Sequence, residues 1–519
     1  MNSMIRLIRP TKRMLWLALL LGTAGGAGAF SLIGPFKDGA HGFVDPWQGV
    51  PYDGRPMGLG YQLASDIGGP MTAIEAYRWN IPVITYAYDY SFLQYFGTNG
   101  VNAIEDAISI LNALPAASTM SSSLSEFPLD TKAENAAAAT LGLLDLKSVA
   151  LSLLVEEMGL ANPERFVWGL RGRVTGTGFT NYSVVQLNYD PVTLSPSRYV
   201  NGVLYNYKIE DALGPMGGEW ASAVEWYQLD PLYLPYSAVA GALGSPDFQL
   251  GSSPDDFTFV GAGLGSGQYF RGLTRDDVGG LRFLLSTNHM VFDTLLPTVL
   301  ARAGGSSRSP WSPILSTNLL LLGGSNVTAI SNIVTTVGTN FTNMVRTALR
   351  PGVDKITFQR VNLLGTNFVP VTLRYTDRFI NPTNGRVVKQ PVERLVFQPD
   401  IIFTVRDLGT VFEVPVLSAR TDTSGWTNNA ALNSFIGVNG LGGPGTIIPP
   451  VVISFSDMVP FFLNAIAGGQ DLDAFGPVLW GSFDGTDRPP VVYPVFQHPL
   501  APDLSLDYLR NVVLRRNRN

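Results

Sequence analysis

The sequence predicts an α+β protein whose second half is dominated by antiparallel sheet. Three observations lead there. A strand-like run at 79–88 is followed by an amphipathic helical pattern at 101–114. Two further helix-like segments lie at 145–162 and 273–285. Short β-branched runs punctuated by Gly, Pro, Asn and Ser fill 164–262 and most of the chain beyond 350.

The elements follow in order. Arg6, Arg9, Lys12 and Arg13 precede the apolar run 14–21, and Ala27, Gly28 and Ala29 stand before Phe30. A basic stretch, a short apolar core and a small-residue site form the layout of a secretory signal peptide, with cleavage expected before Phe30. The apolar core falls short of the roughly 20 residues a bilayer span requires. The apolar run 313–323 is also too short to span. Residues 30–76 are rich in Gly, Pro and Asp and carry Trp47, Tyr52 and Tyr61, which predicts an extended arm packing aromatics onto the body.

Residues 79–88 alternate as a strand does, and 95–100 read as a turn. Val101, Ile104, Ile108 and Leu111 then make one apolar stripe at helical spacing. Residues 115–135 read as a loop. In 145–162, Asp145 is placed to cap a helix, Ser148 to bond in its first turn and Gly159 to end it. Leu146, Val149, Ala150, Leu153, Leu154 and Met158 supply its buried face. In 273–285, Thr274 suits the N-cap, and Asp276 and Asp277 lie in the first turn, where the helix dipole favours negative charge. Later strands are expected at 353–358, 369–375, 386–397, 401–405, 451–455 and 491–496, with a turn at 382–385 and a rigid linker at 441–450.

Residues 145–162, DLKSVALSLLVEEMGLAN, resemble the active-site helix of matrixin-type metalloproteases, which reads D-L-x-S-V-A-x-H-E-x-G-H-x-L-G-L-x-H. Residues 273–285, LTRDDVGGLRFLL, resemble the closing helix of that family, and 79–88 resemble its opening strand. The likeness implies a zincin-like domain over 77–299 with a β-rich insert, and leaves 300–519 as a separate antiparallel β-sheet or β-sandwich domain. Ser152 and Glu156 stand where the likeness would place the two ligand histidines, Leu153 where it would place the general base, and Asn162 where it would place the third ligand. A hydroxyl is a poor zinc ligand, a lone carboxylate binds weakly and without selectivity, and leucine accepts no proton. The resemblance thus implies a protease scaffold without the protease.

The chemistry available elsewhere is sparse. The three histidines, His41, His289 and His498, are far apart in the chain and read as ordinary surface or loop residues. No cysteine is present, which excludes thiol catalysis and thiolate metal sites. Residues 263–267 are glycine-rich but precede no P-loop lysine, so they read as a flexible loop. The acidic pairs Glu156–Glu157 and Asp255–Asp256 leave a carboxylate-dependent hydrolase as one alternative. Trp220, Trp226, Tyr227, Tyr233 and Tyr236 fill a core or form a glycan or partner surface. The basic tail of Arg510, Arg515, Arg516 and Arg518 reads as solvated.

Apolar residues make up 45% of the 519, charged residues 15%, and the net charge is −6. That balance lacks the basic surplus of a nucleic-acid binder. Absence of cysteine with abundant Gly fits a bacterial exoprotein, held by its core without disulfides. No catalytic residue, metal ligand or cofactor site is assigned. The expectation is a secreted or cell-surface pseudoenzyme that binds an envelope polymer, a protein partner or copies of itself, with no nucleic acid and no integral membrane segment after signal cleavage. A structural subunit of a surface layer, sheath or filament is the other alternative.

Overall fold

A computed structural model describes residues 28–32, 77–161, 163–208 with short breaks, 264–301, 344–405 with short breaks, 445–455 except 448, and 479–494. It also describes isolated strand segments at 36–38, 42–44, 211–213, 219–221, 225–228, 247–250, 257–260 and 419–420. The basic and apolar parts of the expected leader, most of the expected arm, the apolar run 313–323 and the basic tail lie outside these residues. The described chain is α+β with several antiparallel sheets.

The elements that organise it are strand β1 (Phe30–Leu32), strand β2 (Val83–Tyr88) and helix α1 (Tyr90–Ala113). Helix α2 (Leu146–Glu157) and helix α3 (Arg275–Leu285) follow. Strands β3 (Thr357–Arg360), β4 (Ile401–Val405), β5 (Ala419–Arg420) and β6 (Val451–Phe455) complete the set. The largest sheet has the order β3-β2-β4-β6-β5. β3, β2, β4 and β6 run parallel to their neighbours, with Phe358 opposite Ile84, Ile401 opposite Tyr86 and again opposite Val451. β5 closes the edge antiparallel to β6. Parallel strands need both faces covered, and five of the six β2 residues are buried accordingly.

This sheet corrects two expectations. The boundary at 299/300 does not divide it, because β2 comes from one side of that boundary and β3 to β6 from the other. The portion after 300 is also not a self-contained antiparallel sandwich. Its long hairpin, Val371–Ile380 with Val387–Val396, is antiparallel, but β3 and β4 flank β2 in parallel. Pattern reading sees each strand's own alternation and cannot see which strand pairs with one over 250 residues away.

Helix α1 covers one face of the sheet. Asp89 caps it by accepting the Phe92 N–H at 2.9 Å. The turn expected at 95–100 is instead a kink at Gly97, with φ 59° and ψ −156°, inside a 24-residue helical segment. Phe92 and Phe96, one turn apart just before the kink, both enter the core. Phe92 lies 5.9 Å from Phe455, and Phe96 lies 5.8 Å from Phe455 and 6.2 Å from Trp480. Each buried phenylalanine contributes about 1.5–3 kcal/mol by leaving water.

The expected arm also needs correction at its start. β1 is the buried centre of a small sheet, between Asn188–Tyr189 and Leu160–Ala161. Gly280 of α3 packs so closely on Phe30 and Leu160 that a side chain there would displace them. Among the described residues, no helix is long and apolar enough to cross a membrane, which leaves β-barrels unaddressed.

Candidate functional site

Helix α2 carries the positions singled out by sequence. Asp145 ends the short strand Leu143–Asp145, which pairs in parallel with Leu479–Ser482. As expected it is the N-cap, accepting the Ser148 N–H at 3.0 Å and the Ser148 hydroxyl at 2.6 Å. Ser148 Oγ in turn accepts the Phe270 N–H at 2.7 Å. Burial pushes the Asp145 carboxyl up to about 6. At the far end Gly159 adopts a positive φ of 112°, as a helix stop requires. These two framework positions are hydrogen-bonding and backbone devices, with no catalytic geometry.

The helix is buried nearly all round. Leu151, Ser152, Leu153, Leu154 and Val155 are at most 2% exposed, and Glu157 is fully buried. Of these residues only Lys147 and Glu156 reach partial exposure. The sequence suggests an inward apolar face and an outward polar one. The structure encloses both faces, with Leu151 and Val155 fully buried on the second. Ser152 Oγ is buried and has no hydrogen-bond partner among the described residues. Trp79 closes the C-terminal end by donating its indole N–H to the Glu157 carbonyl at 2.8 Å.

Glu156 and Glu157 therefore do not face each other across a cleft. One is partly exposed and the other lies in the core. Asn162, His41, His498, Asp255 and Asp256 lie outside the described residues. Trp220 falls on the strand Glu219–Ala221, Trp226 and Tyr227 fall on the strand Glu225–Gln228, and Tyr233 and Tyr236 lie outside the described residues. Among the described residues, no three His, Cys, Asp or Glu side chains come together in a way that could hold a metal ion.

His289 is a loop residue, but not an ordinary one. Its ring stacks on Phe283 at 4.2 Å, and its carbonyl accepts from Arg78 at 2.9 Å. Burial, with the Arg78 charge second, pushes the imidazole down to about 3. Residues 264–267 are likewise pinned. Gly267 donates to the Leu143 carbonyl at 2.7 Å, accepts from Asn135 at 2.8 Å, and packs against Ala139 with no room for a Cβ.

Helix α3 bears the second predicted cap. Thr274 and Asp277 form a reciprocal capping box. Asp276 is fully buried, accepts backbone N–H groups from Ala29 at 2.7 Å and Asn201 at 2.5 Å, and is pushed up to about 8 by burial.

Two clusters escaped sequence reading. Tyr86 and Tyr88 donate their hydroxyls to Glu105 at 2.5 and 3.1 Å, while Arg360 pairs with Glu105 at 3.4 Å and lies 5.1 Å above the Tyr88 ring. Both phenols are shifted upward, first by burial and then by Glu105. Arg78, Asp293, Arg350 and Asp377 form a buried charge network. The alternation of Tyr86 and Tyr88 on β2 with Glu105 on α1 offered a weak signal. The rest required knowledge of strand pairing.

Comparison with protein-family models, with curated proteins and with solved structures returns no match.

Proposed function

We propose that this chain is an exported, zincin-like pseudoenzyme that acts by binding or assembly at the cell surface or outside the cell. The burial of α2 carries the reading. A working zincin helix must present imidazoles and a carboxylate to a substrate cleft. Here the corresponding positions are Ser152, Leu153 and Glu156, and the first two are sealed in the core. The zincin-like part of the reading is supported by the order β2, α1, α2, α3 and by caps at Asp145 and Thr274. The strands that join β2 come after α2 and α3 in the chain, so the likeness covers the opening strand and the helices, not the chain order of the whole sheet.

The export part rests on the basic and apolar layout of the first 29 residues. Low charge and a modest net charge of −6 suit an envelope polymer, a protein or a second copy as partner more than nucleic acid. Fractionating bacterial cells that express the full chain, then offering the recovered protein to intact envelopes, tests the reading. Recovery outside the cytoplasm with saturable retention or self-association supports it. Cytoplasmic retention with the leader attached, or peptide hydrolysis by the recovered protein, overturns it.

A further inference from the structure

The two faces of the long hairpin differ in kind. On the inner face Asp377, Val392, Arg394 and Val396 are buried. Asp377 pairs with Arg350 and Arg394 pairs with Asp400, so buried ion pairs clamp this face to the body. The outer face meets solvent. Along Val371–Ile380 it presents Thr372, Arg374, Thr376 and Arg378, all exposed. The register sets Arg374 opposite Glu393, Thr376 opposite Pro391, and Arg378 directly opposite the exposed Lys389. Arg386 is exposed beside the turn. Arg374, 63% exposed, pairs with Glu393 at 3.0 Å. Arg378, Arg386 and Lys389 pair with no carboxylate among the described residues. Like charges directly opposite across a sheet destabilise it, so Arg378 and Lys389 together cost the fold something that a bound anion would return.

We propose that this outer face is a docking strip for a linear phosphate-bearing polymer of the envelope, held by Arg374, Arg378, Arg386 and Lys389. This rests on the binding reading above and names the partner's chemistry. A strand rises about 3.4 Å per residue, so Arg374 and Arg378 stand about 14 Å apart along one strand. Lys389 lies about 5 Å across from Arg378. That spread exceeds one small anion, whereas a chain of repeated charges meets all of it. The guanidinium fork takes phosphate oxygens two at a time, and the Thr372 and Thr376 hydroxyls interleave as further donors. The hairpin's aromatics, Tyr375 and Phe379, alternate onto the inner face. The outer face therefore offers no ring on which a sugar or a base could stack, which disfavours a neutral glycan and a single-stranded nucleic acid. A backbone phosphate carries its charge in the thread of the polymer, where a flat cationic strip reaches it. Val387, 53% exposed, is the single large exposed hydrophobic residue on this face, too little apolar area to enter a bilayer.

The test titrates the purified full-length chain with long-chain inorganic polyphosphate over a range of salt. Two double variants run beside it: Arg378→Gln with Lys389→Gln, and a charge-matched control, Arg271→Gln with Arg488→Gln, which removes exposed cations away from the hairpin. The hairpin variant is expected to lose at least about tenfold in affinity at low salt. Its slope of log affinity against log salt should be shallower by about 1–2, as the loss of two phosphate contacts requires. The control should keep both. The hairpin variant should also melt no lower than the unsubstituted chain, since it removes a like-charge opposition. Equal losses in the two double variants would assign the binding to net charge and overturn the proposal. So would failure of the unsubstituted chain to bind polyphosphate. So would tighter binding, at matched charge concentration, to polygalacturonate, to oligothymidylate or to vesicles of phosphatidylglycerol and phosphatidylcholine. If the hairpin variant does not fold, acylation of Lys389 in the unsubstituted chain decides. Slower labelling under polyphosphate supports the strip, and unchanged labelling overturns it. Envelope retention that survives the hairpin substitutions overturns this partner and leaves the binding reading standing. Polyphosphate binding by a chain that stays in the cytoplasm does the reverse.

Discussion

Arg78 and Asp293 form an ion pair of 2.9 Å in the interior, with side chains 2% and 0% exposed. Arg78 also donates to the carbonyls of Leu284, His289 and Arg350 at 3.3, 2.9 and 3.0 Å. Arg350 pairs with Asp377 at 3.0 Å and donates to the Asp293 carbonyl at 2.6 Å. One guanidinium thus ties the entry to β2, the last turn of α3 and the strands that follow into a single unit.

Removing one partner of this pair should be severe. Arg78→Met strands the Asp293 carboxylate in the core and is expected to cost about 3–5 kcal/mol. The double variant Arg78→Met with Asp293→Leu should recover part of that loss. Chemical denaturation of the single and double variants checks this. A loss below about 1 kcal/mol for the single change would show the pair to be solvated.

Ser152→Ala should be neutral or stabilising by up to about 1–3 kcal/mol, because it removes a buried hydroxyl that has no partner and leaves its neighbours intact. Ser152→His with Leu153→Glu and Glu156→His, by contrast, forces a larger polar group and a charge into a filled core. That triple variant is expected to unfold rather than acquire zinc. Circular dichroism with metal titration reads both, and a folded, zinc-binding triple variant would show that the cleft still exists.

The aromatic cluster that joins α1 to β4 and β6 should behave as one core. Phe455 lies 5.5 Å from Trp480 and 6.5 Å from Phe403, and all three are fully buried. Phe455→Ala is expected to cost about 3–5 kcal/mol. In thermal denaturation the segments before and after residue 300 should lose structure together. Two separated transitions would instead restore the division at 299/300.

Two groups give opposite pH signatures. Asp145, raised from 3.8 to about 6, holds its proton more tightly when folded, so its contribution is full below pH 4 and is lost as pH rises from about 4 to 6. His289, lowered from 6.5 to about 3, is neutral when folded, so its contribution is full above 6.5 and is lost as pH falls from about 6.5 to 3. Stability measured from pH 3 to 8 on the unsubstituted chain and on Asp145→Asn and His289→Gln gives two difference curves. They should slope in opposite directions, and parallel curves would refute the burial assigned to these side chains.

What could be seen in the sequence was local. Asp145, Gly159 and Thr274 were legible because caps and stops depend on side chains a few residues apart. The strands Ile401–Val405 and Val451–Phe455 match the expected spans because apolar runs between breakers are self-contained. The parallel partners of β2 were not legible, since Phe358 and Phe403 reach it across more than 250 intervening residues. The enclosure of Ser152 was hidden for a related reason, since the surfaces that enclose a helix come from elsewhere in the chain. The role of Asp276 was half visible. Its place in the first turn suggested the helix dipole, whereas its contact with Ala29 joins positions 247 residues apart, which local pattern does not reveal.

The most direct measurement of the pseudoenzyme claim is metal content together with peptide hydrolysis, made on the purified full-length and leader-free protein after incubation with zinc. The account predicts zinc well below one per chain after dialysis and no cleavage of casein or short peptides. One tightly held zinc per chain, with cleavage abolished by Glu156→Gln, would contradict it.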